Sequence, residues 1–161
     1  MANAPQVTDA YWPIIVMTLT DGMDYAAYNA LFKDYERIMQ SAVSRAAASS
    51  ERAGMNITLS DLSNVRSRPD ARTRALAAQK SQEWQPLMRR FSLGDVRVVT
   101  SSLVRGAMTA VSWIYQHPLP LKYAASFPDG VDWCVKQLDL AGVPLSEGAR
   151  QLMRTHGVRG A

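Results

Sequence analysis

The residues best suited to chemistry in this chain form a short polar turn after an apolar run. Residues 96–99 are three valines and one arginine. Thr100, Ser101, Ser102 and then Arg105 follow them. If the run is a strand and Ser102 caps a helix, backbone amides, hydroxyl groups and a guanidinium converge at a positive helix end. Such a turn can bind a phosphate or a carboxylate. The alternative interpretation is a helix cap beside a surface arginine.

A second polar segment, residues 61–70, follows another predicted strand and carries Asp61, Ser63 and Ser67. Polar side chains on a turn after a strand are well placed to contact a partner, because such turns lie at the open edge of an α/β sheet. We therefore expect a protein partner to bind this turn, the turn at residues 100–105 and the exposed faces of the helices that follow them.

Residues for enzymatic chemistry are scattered. His117 precedes a proline, His156 lies near the C-terminus, and Cys134 falls on the buried stripe of a predicted helix. Asp21 and Asp61 both end predicted strands, which is the one arrangement that suits acid–base chemistry, although turns and caps also explain both carboxylates. The chain has no glycine-rich phosphate-binding loop. The sequence therefore predicts no enzyme, no bound metal and no cofactor.

Composition predicts a single ordinary domain. The chain has 161 residues, of which 47% are hydrophobic and 20% charged, a balance typical of one globular domain with its own core. It lacks a secretory signal pattern and an apolar run long enough to span a membrane, and it has one cysteine. We expect a cytoplasmic protein.

Charge is unevenly distributed along the chain. The net charge is +4, and residues 66–105 carry nine basic and three acidic groups. A basic segment can attract acidic proteins, phosphates or nucleic acid, although a solvated helix face has the same composition. Nucleic acid is the weaker interpretation, because the arginines are spread over two predicted helices and a strand without interleaved aromatic residues.

Apolar periodicity predicts strands that alternate with helices. The predicted strands are residues 6–11, 14–19, 56–62, 96–99 and 121–127. The predicted helices are residues 25–42 with a frayed end before Gly54, a helix after Pro69 that kinks or ends at Pro86, a helix after Ser102, a helix from about Pro128, and residues 146–154. This order implies a mostly parallel sheet with right-handed crossovers and an antiparallel N-terminal edge strand.

One part of the chain carries a family resemblance. The stretch VVTSSLVRGAMTAVSWI, a proline-rich turn, a strand, Phe127 and then VDWCVKQL resemble the bacterial STAS/SEC14-like (SpoIIAA-like) family. In that pattern a polar turn with an arginine precedes a helix, and an aromatic residue precedes a helix with a tryptophan. Arg105, Phe127 and Trp133 occupy those places. The resemblance covers residues 7–140 and implies a single STAS/SEC14-like domain over residues 1–140, with helices packed on its sheet, followed by a short helix and a mobile tail over residues 141–161.

The same resemblance singles out a serine. Residues 61–65, DLSNV, are similar to the segment before the phosphorylated serine of anti-anti-sigma proteins. Those proteins continue with Asp-Ser-Ser-Gly, whereas this chain continues with RSRPD, so Ser67 is the nearest counterpart. The resemblance thus implies Ser67 as a phosphorylation site beside several arginines. The alternative is an ordinary serine at the start of a helix.

Taken together, these features predict a non-enzymatic interaction or regulatory module of the bacterial cytoplasm. The alternative is a carrier for a lipid or other anionic apolar ligand, held between the sheet and a helix with an aromatic stripe. That stripe is Tyr25, Tyr28, Phe32 and Tyr35. Helical spacing also fits simple core packing for these rings. Three tryptophans further suggest a homodimer surface: Trp12, Trp84 and Trp113.

Overall fold

The computed structural model describes residues 4–102 and 119–158. These residues form a single α/β domain on one five-stranded sheet. The strands are β1 (Gln6–Thr8), β2 (Ile14–Thr20), β3 (Asn56–Asn64), β4 (Ser92–Val98) and β5 (Leu121–Ala124). The helices are α1 (Tyr25–Ala48), α2 (Glu51–Gly54), α3 (Ala71–Phe91), α4 (Phe127–Leu140) and α5 (Glu147–Thr155).

The strands lie in the sheet in the order β1-β2-β3-β4-β5. β1 is antiparallel to β2, and the remaining neighbours are parallel, which confirms the predicted mostly parallel sheet with an antiparallel edge strand. Because each right-handed crossover steps in the same direction, α1 and α3 must lie on one face of the sheet. The other face is left for the chain that follows β5, and α4 and α5 cover it.

The face under α4 and α5 is mostly apolar. Inward side chains of β2, β3 and β4 alternate with residues on the opposite face, as the pleat requires. The buried residues of this core include Ile57, Leu59, Val96 and Val98 from the strands and Val131, Cys134, Val135 and Leu138 from α4. The predicted inner stripe of α4 is therefore confirmed. The last helix adds Ala149, Leu152 and Met153 to the same core.

Three strand boundaries differ from the prediction by three residues or more. β1 ends at Thr8, whereas the predicted strand ends at residue 11. β5 ends at Ala124, because Ser126 caps α4: its hydroxyl oxygen accepts from the amide of Asp129 at 3.3 Å and its proton is donated to the Asp129 carboxylate at 2.7 Å. Phe127 therefore belongs to a helix. β4 begins earlier than predicted, at Ser92, whose hydroxyl donates to the Asn56 side chain at 3.2 Å in the interior.

Pro86 lies inside α3, which runs on to Phe91. Buried side chains on both sides of the proline, Trp84 and Phe91, hold the two halves against the core, and their burial offsets the cost of about 3 kcal/mol for an interior proline. The predicted helix after Ser102, which includes Arg105, and residues 159–161 of the predicted tail lie outside the described residues.

Candidate partner-binding surface

Asp21 fixes the turn that follows β3. Its Oδ1 accepts three hydrogen bonds, from the backbone amides of Arg66 at 2.9 Å and Ser67 at 2.8 Å and from the Ser67 hydroxyl at 2.6 Å. Asp21 directly follows β2, and β2 and β3 are parallel neighbours, so both turns lie at one edge of the sheet. We call this edge, formed by residues 21–24, 64–70 and 99–102, the carboxyl edge.

The hydrogen bonds to Asp21 favour its charged form. The Ser67 hydroxyl, followed by the amides of Arg66 and Ser67, holds the pKa of Asp21 below its ordinary value of 3.8. A carboxylate with a depressed pKa stabilises the fold above that ordinary value, and its contribution is lost as the pH falls through the lowered pKa. The turn is thus anchored throughout the neutral range.

An Asp21→Asn variant tests this anchor. In the unmodified protein, the amide resonances of Arg66 and Ser67 should move in a pH titration with a midpoint below 3.8. In the variant this titration should vanish, and amide exchange at both residues should accelerate several-fold, while exchange at buried Ile57 stays unchanged. A midpoint at or above 3.8, or the same titration in the variant, would contradict the anchoring role of Asp21.

The turn after β4 is tied to the last residues of β3. The Thr100 hydroxyl donates to the Ser63 carbonyl oxygen at 3.2 Å, and the Ser63 amide donates to the Asp61 carboxylate at 3.0 Å. The structure therefore brings together Thr100, Ser63 and Asp61. Ser101 and Ser102 are exposed on the same turn.

Asp21 and Asp61, the predicted acid–base pair, have different partners: Asp21 holds the turn after β3, and Asp61 accepts from an amide within the end of β3. Their hydrogen bonds to backbone amides are the structural role that turns and caps predict. The helix starts at this edge are used in the same way, since Asp24 accepts from the amide of Ala27 at 2.8 Å and Asp70 from that of Thr73 at 2.7 Å. The chain's own carboxylates thus occupy the amide donors that a bound phosphate would need at α1 and α3.

The turn after β3 presents exposed arginines among the carboxylates of the carboxyl edge. Arg66 and Arg68 are exposed and form no ion pair with any described residue. Arg72 lies over the Tyr25 ring, 4.0 Å from its centroid, and Arg74 donates to the Pro69 carbonyl at 2.6 Å. Two of the four arginines are therefore engaged by the fold, and the other two form no ion pair within the part of the chain that the structure describes.

The aromatic stripe of α1 is core. Tyr28, Phe32 and Tyr35 are buried, and Trp84 from α3 packs against them with centroid distances of 5.5 Å to Phe32 and 4.8 Å to Tyr35. Protein side chains fill the place where the carrier interpretation puts its ligand. Burial of Trp84 removes that side chain from the predicted homodimer surface. Arg45 lies over one side of the Trp12 ring, and Trp113 lies outside the described residues.

Hydrophobic patterning missed a row of polar side chains on the sheet face beneath α1 and α3. Thr58 and Ser60 of β3 align with Asp95 and Arg97 of β4, and Arg97 aligns with Tyr123 of β5. The Arg97 Nε donates to Asp95 at 3.1 Å. Burial disfavours the charged form of Arg97 and lowers its pKa. Asp95 and the Tyr123 hydroxyl outweigh this effect and hold the pKa of Arg97 above its ordinary value. The alternation of polar and apolar residues at positions 92–98 was the available signal.

Tyr35 joins α1 to this polar row. Its hydroxyl lies 3.0 Å from that of Thr58 in the interior, where burial raises the Tyr35 pKa and keeps the phenol protonated. Tyr35→Phe should lower the free energy of unfolding by about 1 to 2 kcal/mol, because it leaves the buried Thr58 hydroxyl without this partner. Urea denaturation measures the loss, and Tyr25→Phe, at a half-exposed ring, is the matched control. Equal effects of the two variants would show that the hydrogen bond is not stabilising.

Cys134 and His156 are the remaining nucleophile and metal-ligand candidates among the described residues. Cys134 is fully buried, and burial raises the pKa of its thiol. The His156 ring packs 4.6 Å from the Phe127 ring, and His117 lies outside the described residues. Within residues 4–102 and 119–158, no group of three His, Cys, Asp or Glu side chains is arranged to hold a metal ion. No described helix is long and apolar enough to cross a lipid bilayer.

Comparisons with known proteins give no assignment. No protein-family model, no curated protein and no solved structure matches this chain.

Proposed function

We propose that this chain is a non-enzymatic interaction module that binds an acidic segment of a protein partner at the carboxyl edge. The observation that carries this proposal is the set of three hydrogen bonds that the Arg66–Ser67 turn donates to Asp21. It holds an exposed turn in one conformation before any partner arrives. Binding then costs less conformational entropy, because the loop is already ordered.

Sheet topology also supports a binding surface at this edge. Small ligands of open α/β sheets bind in the crevice that forms where the strand order reverses direction. Here the order β2-β3-β4-β5 advances in one direction, so the described strands form no such crevice. The depression at this edge, lined in part by Asp21, Tyr28 and Arg68, has a volume of only about 170 Å³. A flat, ordered edge suits a protein surface better than a small molecule.

The two exposed arginines of the turn after β3 indicate the chemistry of the partner. Arg66 and Arg68 project from the ordered turn without ion-pair partners among the described residues. Guanidinium groups bind carboxylates through paired hydrogen bonds, so a segment rich in Asp or Glu complements this turn. The STAS/SEC14-like assignment and the bacterial cytoplasm remain parts of this proposal, supported by the resemblance at residues 7–140 and by the mixed sheet.

Ser67 is the proposed point of regulation. Its side chain is exposed, and its hydroxyl donates to Asp21. A phosphate on this oxygen would place two negative groups in contact and remove the hydrogen bond. Phosphorylation would therefore release the turn that the proposal requires to be ordered.

Site-specific photo-crosslinking in the native cells tests the binding surface. Benzoylphenylalanine in place of Asn64, an exposed residue between the turns, should give one discrete protein adduct. The same group in place of Lys136, exposed on α4, should give none. The double variant Arg66→Glu/Arg68→Glu should reduce the Asn64 adduct by about tenfold or more, because like charges oppose an acidic partner.

Arg37→Glu is the matched charge control, since Arg37 is exposed on α1 and away from the carboxyl edge. It should leave the adduct unchanged. Equal adducts from positions 64 and 136, or equal losses from reversing Arg37 and the turn arginines, would overturn the proposal.

A further inference from the structure

A groove lies at the opposite edge of the sheet, where β2 and β3 begin, and we call it the amino-end groove. It is bounded by the loop before β2, the end of α1, α2 and the loop after α4, and it has a volume of about 480 Å³. Pockets of about 300–1,000 Å³ hold small organic ligands. Its apolar lining is Trp12, Pro13, Ala48, Ala53, Val143 and Pro144.

Two arginines lie at this groove, and the fold uses only one of them. The Arg45 guanidinium lies 4.3 Å from the Trp12 ring centroid and 3.3 Å from the Asp9 carboxylate. Arg52 forms no ion pair with any described residue. Its guanidinium carbon would lie 3.8 Å from a methyl group added to Gly142, which places it beside the loop that carries Val143. The groove thus combines an apolar lining with one unpaired cation.

We propose that this groove binds a small organic monocarboxylate with a flat apolar body. The apolar body would cover Trp12, Ala48 and Pro144, and the carboxylate would accept two parallel hydrogen bonds from Arg52. An uncharged ligand would leave the guanidinium unpaired, and a small inorganic anion would leave the apolar lining exposed to water. This site is separate from the carboxyl edge, because the two lie at opposite ends of the parallel strands.

A titration of the isotope-labelled full chain with 1-naphthoate, followed by the chemical shifts of residues at the groove, tests the site. The indole N–H of Trp12 and the amides of Ala53 and Val143 should shift saturably, with a Kd below about 1 mM. The uncharged analogue 1-naphthamide should bind at least about tenfold more weakly, because it lacks the charge that Arg52 pairs with.

Arg52→Gln should weaken naphthoate binding by about tenfold or more and leave the naphthamide shifts unchanged. Arg37→Gln, at an exposed arginine on the outer side of α1, should alter neither. Equal binding of acid and amide, an equal effect of the two arginine variants, or no saturable shift at millimolar naphthoate would each overturn the proposal. Asp21→Asn should not change naphthoate binding, so failure of the carboxyl-edge proposal and failure of this one are distinguishable.

Discussion

Replacing Phe91 by alanine is expected to lower the free energy of unfolding by about 3–5 kcal/mol. Phe91 ends α3 with only 1% of its surface exposed. Its ring lies so close to Gly54 that a methyl group added there would approach it to 2.8 Å. Removing the ring leaves a cavity between α2 and the start of β4, and the rigid strands cannot collapse to fill it.

Urea or thermal unfolding measures this loss. Phe91→Leu is the matched control, since it keeps most of the apolar volume and should cost less than about 1.5 kcal/mol. If Phe91→Ala and Phe91→Leu lower the free energy of unfolding equally, the shape of the side chain at this position matters more than the volume of the cavity. A loss below about 1 kcal/mol for alanine would contradict the packing of α2 on Phe91. Because Ala53 of α2 lines the amino-end groove, Phe91→Ala should also weaken naphthoate binding.

Gly148→Ala is expected to destabilise the protein by about 1–3 kcal/mol, the range for inserting a methyl group into packed surroundings. Helix propensity alone predicts the opposite sign, because alanine is favoured over glycine in a helix by up to about 1 kcal/mol. A methyl group at Gly148, however, would lie against the carbonyl oxygen of Ala10, closer than real Cβ contacts. The obstacle is backbone, so it cannot rotate away as a side chain would.

The sign of the change decides between propensity and contact. Gln151→Ala, at an exposed position of the same helix, should be neutral or slightly stabilising when measured by the same denaturation. Gly148→Ala should in addition shift the amide resonances around Ala10 and Trp12, because the Ser146 hydroxyl donates to the Trp12 carbonyl at this contact. Stabilisation by Gly148→Ala would show that α5 does not approach the loop before β2 this closely.

Long runs with one clear period were predictable from the sequence. The apolar run of β2 and the helical stripe of α1 each repeat one signal many times, and the structure confirms both elements. The start of β4 was not predictable in this way. Ser92 joins the strand through a buried hydrogen bond to Asn56, a partner far away in the chain that local patterning cannot detect. Pro86 was misleading for the same reason, since tertiary packing of Trp84 outweighs its local cost.

The candidate surface was only partly predictable. Strand ends located Asp61, Ser63 and Thr100 at one edge, because parallel strands deliver their carboxyl ends together. That Asp21 would reach the turn at Ser67, rather than pair with Asp61, depends on side-chain geometry across two strands. The amino-end groove could not be predicted for a similar reason, since its lining residues come from three separate segments of the chain.

The strand order has a consequence for how the chain is made. Each strand after β1 pairs with the strand that precedes it in sequence, so during synthesis every new strand meets its neighbour already in place. Among the described residues, α4 and α5 provide most of the cover of the apolar face of these strands, and they are translated after all five strands. A nascent chain whose residues 127–155 are still in the ribosome therefore carries an assembled sheet with one exposed apolar face. Chaperones and neighbouring nascent chains would meet that side first.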